Sequence, residues 1–231
     1  MTVETEEVTP GLRSGRMVTI SYSSEADYEI FVRWFTPDSR IASLTGDAGE
    51  QVTVAALRED AASGSQHCTI RTLDGRPVGM VKFRRAGGIR STMFEISGAI
   101  GIEGLWSRGY GAEGFGLVIQ HLFEDLAAHR LEFRVGLFNR PMLEMVMRLK
   151  FFVLEGVLRD RMPFGGEFYD LTVWSMLRAE YESLFLKGHW EEGSAKDVQH
   201  ARMSPEKAES RRALDGYLRN GLVSSLSLMG T

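Results

Sequence analysis

The chain has 231 residues, 43% hydrophobic and 25% charged, with a net charge of −4 and a single cysteine. This suits one globular domain plus an extension, and the mildly negative charge excludes a broad field attracting nucleic acid, so no DNA partner is expected. One cysteine, Cys68, excludes an intrachain disulfide and fits a reducing compartment, while no apolar run long enough to span a membrane and no basic, apolar leader are found, so a cytoplasmic protein is expected.

Residues 1–15 are polar and expected to be mobile. Met17 to Tyr22 reads as a strand. Ser24-Glu25-Ala26-Asp27 has the spacing of a capped helix start, and Ile30, Phe31 and Trp34 follow at helical intervals. Thr53 to Ala61 reads as a second helix. Strands around Cys68 to Arg71 and Val78 to Phe83 flank Leu73-Asp74-Gly75-Arg76, where Asp-Gly signals a hairpin. After a loop at Ala86-Gly87-Gly88, Met93 to Ile102 completes a meander. A helix is expected from Tyr110 to Ala128, with Phe115, Ile119, Leu122 and Leu126 on one buried face. Leu131 to Val135 alternates as a strand, and Asn139-Arg140-Pro141 opens a second helical stretch to about Lys150. In the extension, residues 187–231, Ser204-Pro205-Glu206 is a further helix start. That helix is expected to pack on the domain or on a symmetry mate, which would make a homodimer.

Trp106-Ser107-Arg108-Gly109-Tyr110-Gly111-Ala112-Glu113 carries the most chemistry. Glycine lets a ligand approach the backbone closely, and a helix starting there offers unpaired N–H groups and a positive dipole end. Together these make an anion site, most often for phosphate. A P-loop is excluded, because no Gly-Lys-Ser or Gly-Lys-Thr occurs. Gly109, Gly111 and Gly114 do spell G-x-G-x-x-G, and Glu132 follows, but the letters alone are weak evidence for a dinucleotide.

The segments that follow decide between the readings. W-x-R-G-Y-G-x-E, then H-R-L-x-F-x-V from His129, then Asn139, then F-x-L-E-G-V-L-R from Phe152, then G-x-x-Y-D ending at Asp170, resemble the GNAT superfamily of N-acetyltransferases. The resemblance runs roughly from Arg16 to Leu186 and is closest to the branch that includes the ribosomal-protein N-terminal acetyltransferases. It implies an α/β fold: a mixed, mostly antiparallel central sheet flanked by helices over residues 16–186, with a C-terminal helical extension. It implies acetyl-CoA or another acyl-CoA as co-substrate, no metal, and a small-molecule or peptide amine as acceptor. Arg108, Gly109, Tyr110, Gly111 and Ala112 would hold the donor pyrophosphate through backbone amides. Ala99, Ile100 and Gly101 would lie beside the pantetheine arm, and Asn139 would contact that arm. Trp34 and Arg40 would belong to the acceptor pocket.

Departures from the family pattern bear on the donor. Met142 replaces a small residue, Phe151 replaces the glycine of a Gly-Phe pair, and Val146 and Met147 stand where many relatives place an acidic tyrosine. A bulkier acyl group, or one delivered by a carrier protein or an aminoacyl-tRNA, is therefore an alternative, as is a non-catalytic acyl-CoA-binding module.

Candidate catalytic groups follow from the acceptor. An α-amine has a pKa of about 7.7–8.0, but a lysine-type amine near about 10.4 needs about 4–5 kcal/mol to deprotonate at neutral pH, so a base helps. Glu95 lies on the strand entering the acyl site and Ser97 shares its face; Asp170 matches the family's final acid. His121 and His129 lack a third ligand, so no metal site is expected. His67 and Cys68, adjacent on a strand, point to opposite faces.

Overall fold

The structure, a computed structural model, describes residues 11–45 and 51–186 together with Pro205, Glu209, Ser210, Arg212, Leu214 and Gly216. Its strands are β1 Arg13–Ser14, β2 Val18–Tyr22, β3 Ser65–Thr72, β4 Pro77–Arg85, β5 Met93–Ile100, β6 Arg130–Gly136, β7 Val153–Phe164 and β8 Glu167–Leu177. Its helices are α1 Glu25–Trp34, α2 Arg40–Thr45, α3 Val54–Ala62, α4 Tyr110–Gln120, α5 Arg140–Leu149 and the short α6 Arg178–Tyr181. The strands form one sheet in the order β1-β2-β3-β4-β5-β6-β8-β7. All neighbours are antiparallel except β5 and β6.

Alternation along the strands divides the apolar residues between two faces. On one face Ile20, Ile70, Val81, Phe94, Leu131 and Trp174 meet Leu117 and Val118 of α4 and Leu143 and Val146 of α5 in a single core. On the other face a smaller cluster of Tyr28, Phe31, Phe35, Ile41 and Leu57, from α1 to α3 and the turn after α1, receives Met80 and Ala99. α1 begins as its sequence dictates: the Ser24 side chain accepts from the Asp27 N–H and Asp27 answers the Ser24 N–H, closing a capping box. Thr53 caps α3 by accepting the Ala56 N–H, without the reciprocal bond.

Three elements depart from expectation. Arg13 and Ser14 are not a loose tail: they pair with Ile20 and Thr19, and the Arg13 guanidinium bonds Glu124 at 2.8 Å and Asp125 at 2.9 Å. The long helix stops being α-helical at Gln120. A wider turn follows over His121–Asp125, with the Leu126 N–H on His121 O, and Ala127 at φ 52° ends it. β7 runs on to Phe164 as an edge strand with irregular register at Leu154/Gly156 and Leu158/Met162.

The chain divides into two compact units, residues 1–198 and 199–231. In the second unit the described positions are helical; the remaining expectations for residues 187–231, and those for residues 1–10, lie outside the described residues. No helix among the described residues is long and apolar enough to cross a membrane.

Candidate functional site

The sheet opens at its middle. β5 and β6 pair in parallel only at Met93↔Arg130, Phe94↔Leu131 and Glu95↔Glu132. Beyond Glu95 the two strands diverge, because β5 stays on β4 as far as Ile100↔Gly79 while β6 stays on β8 as far as Gly136↔Leu171. The edge of β5 from Ile96 to Ile100 thus faces the gap with its backbone groups unclaimed by β6.

The glycine loop lies past that edge. A 3-10 turn at Glu103–Leu105 leads into Trp106, whose indole N–H donates to Ile100 O at 2.9 Å and ties the loop to the end of β5. Gly109, at φ 94°, caps α4 with no side-chain hydrogen bond. The first-turn N–H groups of α4 therefore have no side-chain acceptor at the cap, as an anion site requires. The other glycines of the motif serve packing. A Cβ at Gly111 would stand 3.2 Å from Ile100 Cγ1, and one at Gly114 would stand 2.5 Å from Ile70 Cδ1.

A cavity of about 1050 Å³ runs from the first turn of α4, at Ala112 and Glu113, through the gap and between α4 and α5. Its two sides differ. On the sheet face shared with α1 to α3 it is charged: Lys82 and Arg84 of β4, Glu95 of β5, and Glu132 and Arg134 of β6. Arg84 holds Glu95 at 2.6 Å, and Arg134 lies 3.1 Å from Glu132 and 3.9 Å from Glu95. On the helix face it is apolar, with Phe115 and Leu117 opposite Met142, Val146 and Leu149.

Of the candidate catalytic residues, Glu95 and Ser97 line this cavity on its charged side. Asp170 does not belong to it: its carboxylate accepts the backbone N–H of Asp160 at 2.8 Å, where β7 bulges with Asp160 at φ 48°. Asn139 lines the cavity and caps α5 by accepting the Met142 N–H, while its amide donates to Leu44 O at 3.0 Å and fixes the end of α2. Ile100 lies on the open edge, with its carbonyl taken by the Trp106 indole, whereas Ala99 pairs with Met80 and, like Gly101, turns its backbone groups to β4. Gly101 does not offer its amide, which donates to Val78 O at 2.8 Å, and a Cβ there would meet the Trp34 ring at 1.9 Å. Trp34 therefore buttresses the end of β5. Arg40 stacks over Trp106 at 5.2 Å. Neither lines the cavity; Leu44 and Thr45 of α2 do. Arg108 and Gly109 are exposed and Tyr110 is half-buried against the core.

Sequence reasoning missed Lys82, Arg84, Glu132 and Arg134 as cavity residues. Their signal is the polar half of the strand alternation, which only the register turns into a wall.

A partly buried chain of polar groups borders that wall. Ser65, Lys82 at 3.3 Å and His67 at 2.9 Å all bond Asp60. Burial pushes the Asp60 carboxyl up, but the Lys82 charge and these hydrogen bonds outweigh it and hold it below the ordinary range. Burial also holds the His67 imidazole below its ordinary range. His67 is thus neutral, Nε2–H donating to Asp60 and Nδ1 accepting from Tyr28 at 3.0 Å. His67 and Cys68 do face opposite ways: Cys68 joins the core of the helix face, where burial pushes its thiol up to about 12. Among the described residues no group of three His, Cys, Asp or Glu side chains is placed to hold a metal ion.

Comparison with known proteins accords with this geometry. The family model of the acetyltransferase (GNAT) domain matches residues 18–151. An uncharacterized N-acetyltransferase, p20, of Bacillus licheniformis is 32% identical over 76 residues, which are 33% of this chain and 42% of that protein, so less than half of the relative's length is spanned. Among solved structures, a spermidine N-acetyltransferase from Vibrio cholerae in complex with CoA and spermine superposes with a TM-score of 0.62 at 15% identity, covering 71% of this chain and 97% of that one. A GNAT-family acetyltransferase from Bacillus anthracis gives a TM-score of 0.59 at 17% identity, covering 71% and 97%. At such identities these structures establish the fold.

Proposed function

This chain belongs to the GNAT acetyltransferase-domain family, and from that premise we propose that it is an N-acyltransferase moving an acyl group from acyl-CoA to a primary amine. The observation that carries the reading is the divergence of β5 from β6 beside a helix whose N-terminus has no side-chain cap. The residues present fit the donor. The backbone N–H groups from Gly109 to Ala112 would form a phosphate cradle beside Arg108, whose own N–H turns to Leu105 O, with Gly109 in a conformation that favours glycine. The open edge of β5, at Gly98 and the Ile100 N–H, would pair with the pantetheine arm, and Asn139 would fix the neighbouring end of α5; Ala99 turns its backbone to β4 and drops out. Gly101 drops out of the donor set because its N–H is already used.

The thioester supplies an activated acyl carbon. An amine approaching from the charged face attacks it directly: the C–N bond forms, the C–S bond breaks, and one amine proton ends on the released thiol. That proton passes to the thiolate by way of Glu95, through a water that Ser97 orients; because Arg84 and Arg134 pair with Glu95, and Arg130 and Arg134 with Glu132, the wall favours an amine that arrives neutral over an ammonium. The complex of the Vibrio cholerae relative with spermine makes a polyamine one acceptor to test, beside peptide N-termini. The competing reading, a non-catalytic acyl-CoA binder, is favoured by the α5 wall: Met142, Met145 and Val146 provide no hydroxyl to protonate the leaving thiolate.

Calorimetry with CoA and acetyl-CoA, followed by thiol release over a panel of amines, decides between them. Binding with turnover supports the transferase. Binding without turnover on any amine supports the binder, and absence of CoA binding refutes both.

A further inference from the structure

Three glycines interrupt α4, and two are explained by contact with the sheet, since a Cβ at Gly111 or Gly114 would press on Ile100 or Ile70. Gly116 is different. A Cβ there would meet nothing within 4 Å, and the residue lines the cavity. Glycine inside a helix is unfavourable against alanine, so neither packing nor helix propensity accounts for it. What its missing side chain provides is width between α4 and α5.

The facing wall supplies the complementary surface. Met142, Met145, Val146 and Leu149 recur at i, i+3, i+4 and i+7 and all line the cavity. Methionine is the most adaptable of apolar side chains. The branch ends on Phe151 and Phe185, whose rings meet edge to face at 5.1 Å. The whole cavity, about 1050 Å³, stands at the upper end of the range of about 300–1,000 Å³ usual for a small-molecule site.

We propose that this apolar branch seats the tail of an acyl chain longer than acetyl, so that the preferred donor is a medium-chain acyl thioester. The inference rests on the donor assignment above. It assigns the branch to the donor because both walls belong to α4 and α5, and the first turn of α4 is where the donor phosphates would be held. The acceptor amine, a polar hydrogen-bonding group, is matched instead by the polar face across the sheet. An apolar tail in a preformed apolar branch gains from every methylene removed from water, up to about fourfold in affinity for each.

The test is calorimetry on the full chain with CoA, acetyl-CoA, hexanoyl-CoA and octanoyl-CoA, repeated on Gly116→Leu and on Met145→Trp. Leucine is a better helix former than glycine, so Gly116→Leu should fold; Met145→Trp narrows the branch from the other wall. The expected result is octanoyl-CoA binding at least about tenfold tighter than acetyl-CoA, with that ratio reduced at least about tenfold in both variants. If CoA and acetyl-CoA bind but affinity does not rise with chain length, or rises as steeply in the two variants as in the unaltered chain, the acyl-chain assignment fails and the donor site stands. If CoA itself does not bind, the donor site fails and takes this inference with it.

Discussion

Glu113 shows how a side chain at the end of a ligand motif can serve the fold. It closes the segment that reads as a phosphate loop, yet its carboxylate accepts the backbone N–H groups of Arg16, Met17 and Val18 at 2.7, 2.8 and 3.0 Å. It fastens the first turn of α4 to the start of β2, and its negative charge suits that end of the helix. The fit is close: a Cβ on Gly15 would lie 2.6 Å from Glu113 Cδ. Glu113→Ala would leave those donors without their charged acceptor, and hydrogen bonds to charged groups contribute about 1.5–3 kcal/mol each. Because the site is partly exposed, a total loss of about 2–4 kcal/mol is expected, read as a fall in the urea midpoint with unchanged slope. A loss below about 0.5 kcal/mol would show that water replaces the contact without cost. Gly109 tests the loop itself. At φ 94° any side chain is strained, and an aspartate adds a negative charge where donor phosphates would bind. Gly109→Asp should weaken CoA binding about a hundredfold or more by calorimetry, some 3 kcal/mol; unchanged affinity would remove the loop from the donor site. All three glycine letters were legible in the sequence. Their separate reasons, a left-handed cap at Gly109 and helix-on-sheet contact at Gly111 and Gly114, were not, because those depend on Ile100 and Ile70 lying beneath.

At the scale of elements, local signals sufficed wherever the chain satisfies itself. The Ser24–Asp27 box, the Thr53 cap, the Asp74-Gly75 turn and the Asn139 cap each place an element end within a residue or two. α2 carried a signal that sequence reasoning passed over, Ser39, whose hydroxyl accepts the Ala42 N–H at 3.1 Å. Its six residues matter because Asn139, far away in sequence, holds Leu44 O and brings the end of the helix to the cavity. The same gap explains Trp34 and Arg40, which the family resemblance assigned to an acceptor pocket; tertiary packing sets one against Gly101 and the other over Trp106. Asp170 is the clearest case. Its match to the family acid suggested chemistry, but its carboxylate holds the Asp160 N–H at the irregular stretch of β7. Asp170→Ala should therefore cost about 1–2 kcal/mol of stability and change kcat/KM by less than about twofold, since a difference of that size carries no mechanistic meaning. A drop of about a hundredfold in kcat with stability intact would restore it as a catalytic group.

The whole molecule is tied across its sheet by charge, and this fixes the direction of its response to acid. Arg130 on β6 reaches Glu155 on β7, and its hydrogen bond is the main cause holding that carboxyl below the ordinary range. Arg13, at the opposite edge strand, does the same for Asp125, with His121 adding to it. Asp60 is also depressed. A carboxyl whose folded pKa lies below its unfolded one contributes stability that is complete above the unfolded value, about 4, and is lost as pH falls through the folded value. The buried His67 imidazole is likewise depressed, so protonation favours the unfolded chain, and its contribution begins to fade as pH falls below about 6.5. All four groups act in the same direction. A two-stage acid loss is therefore expected: a shallow fall in Tm below about pH 6.5 from His67, then a steeper one below about pH 4 as the ion pairs linking β6 to β7 and β1 to the end of α4 are discharged. Scanning calorimetry from pH 8 to pH 3 measures it directly. His67→Gln, which keeps a hydrogen-bonding side chain but cannot titrate, should lower the plateau and abolish the shallow stage while leaving the steep one. A Tm that rises between pH 7 and pH 5 would mean that the histidine gains, on protonation, a partner strong enough to outweigh its burial between Tyr28 and Asp60.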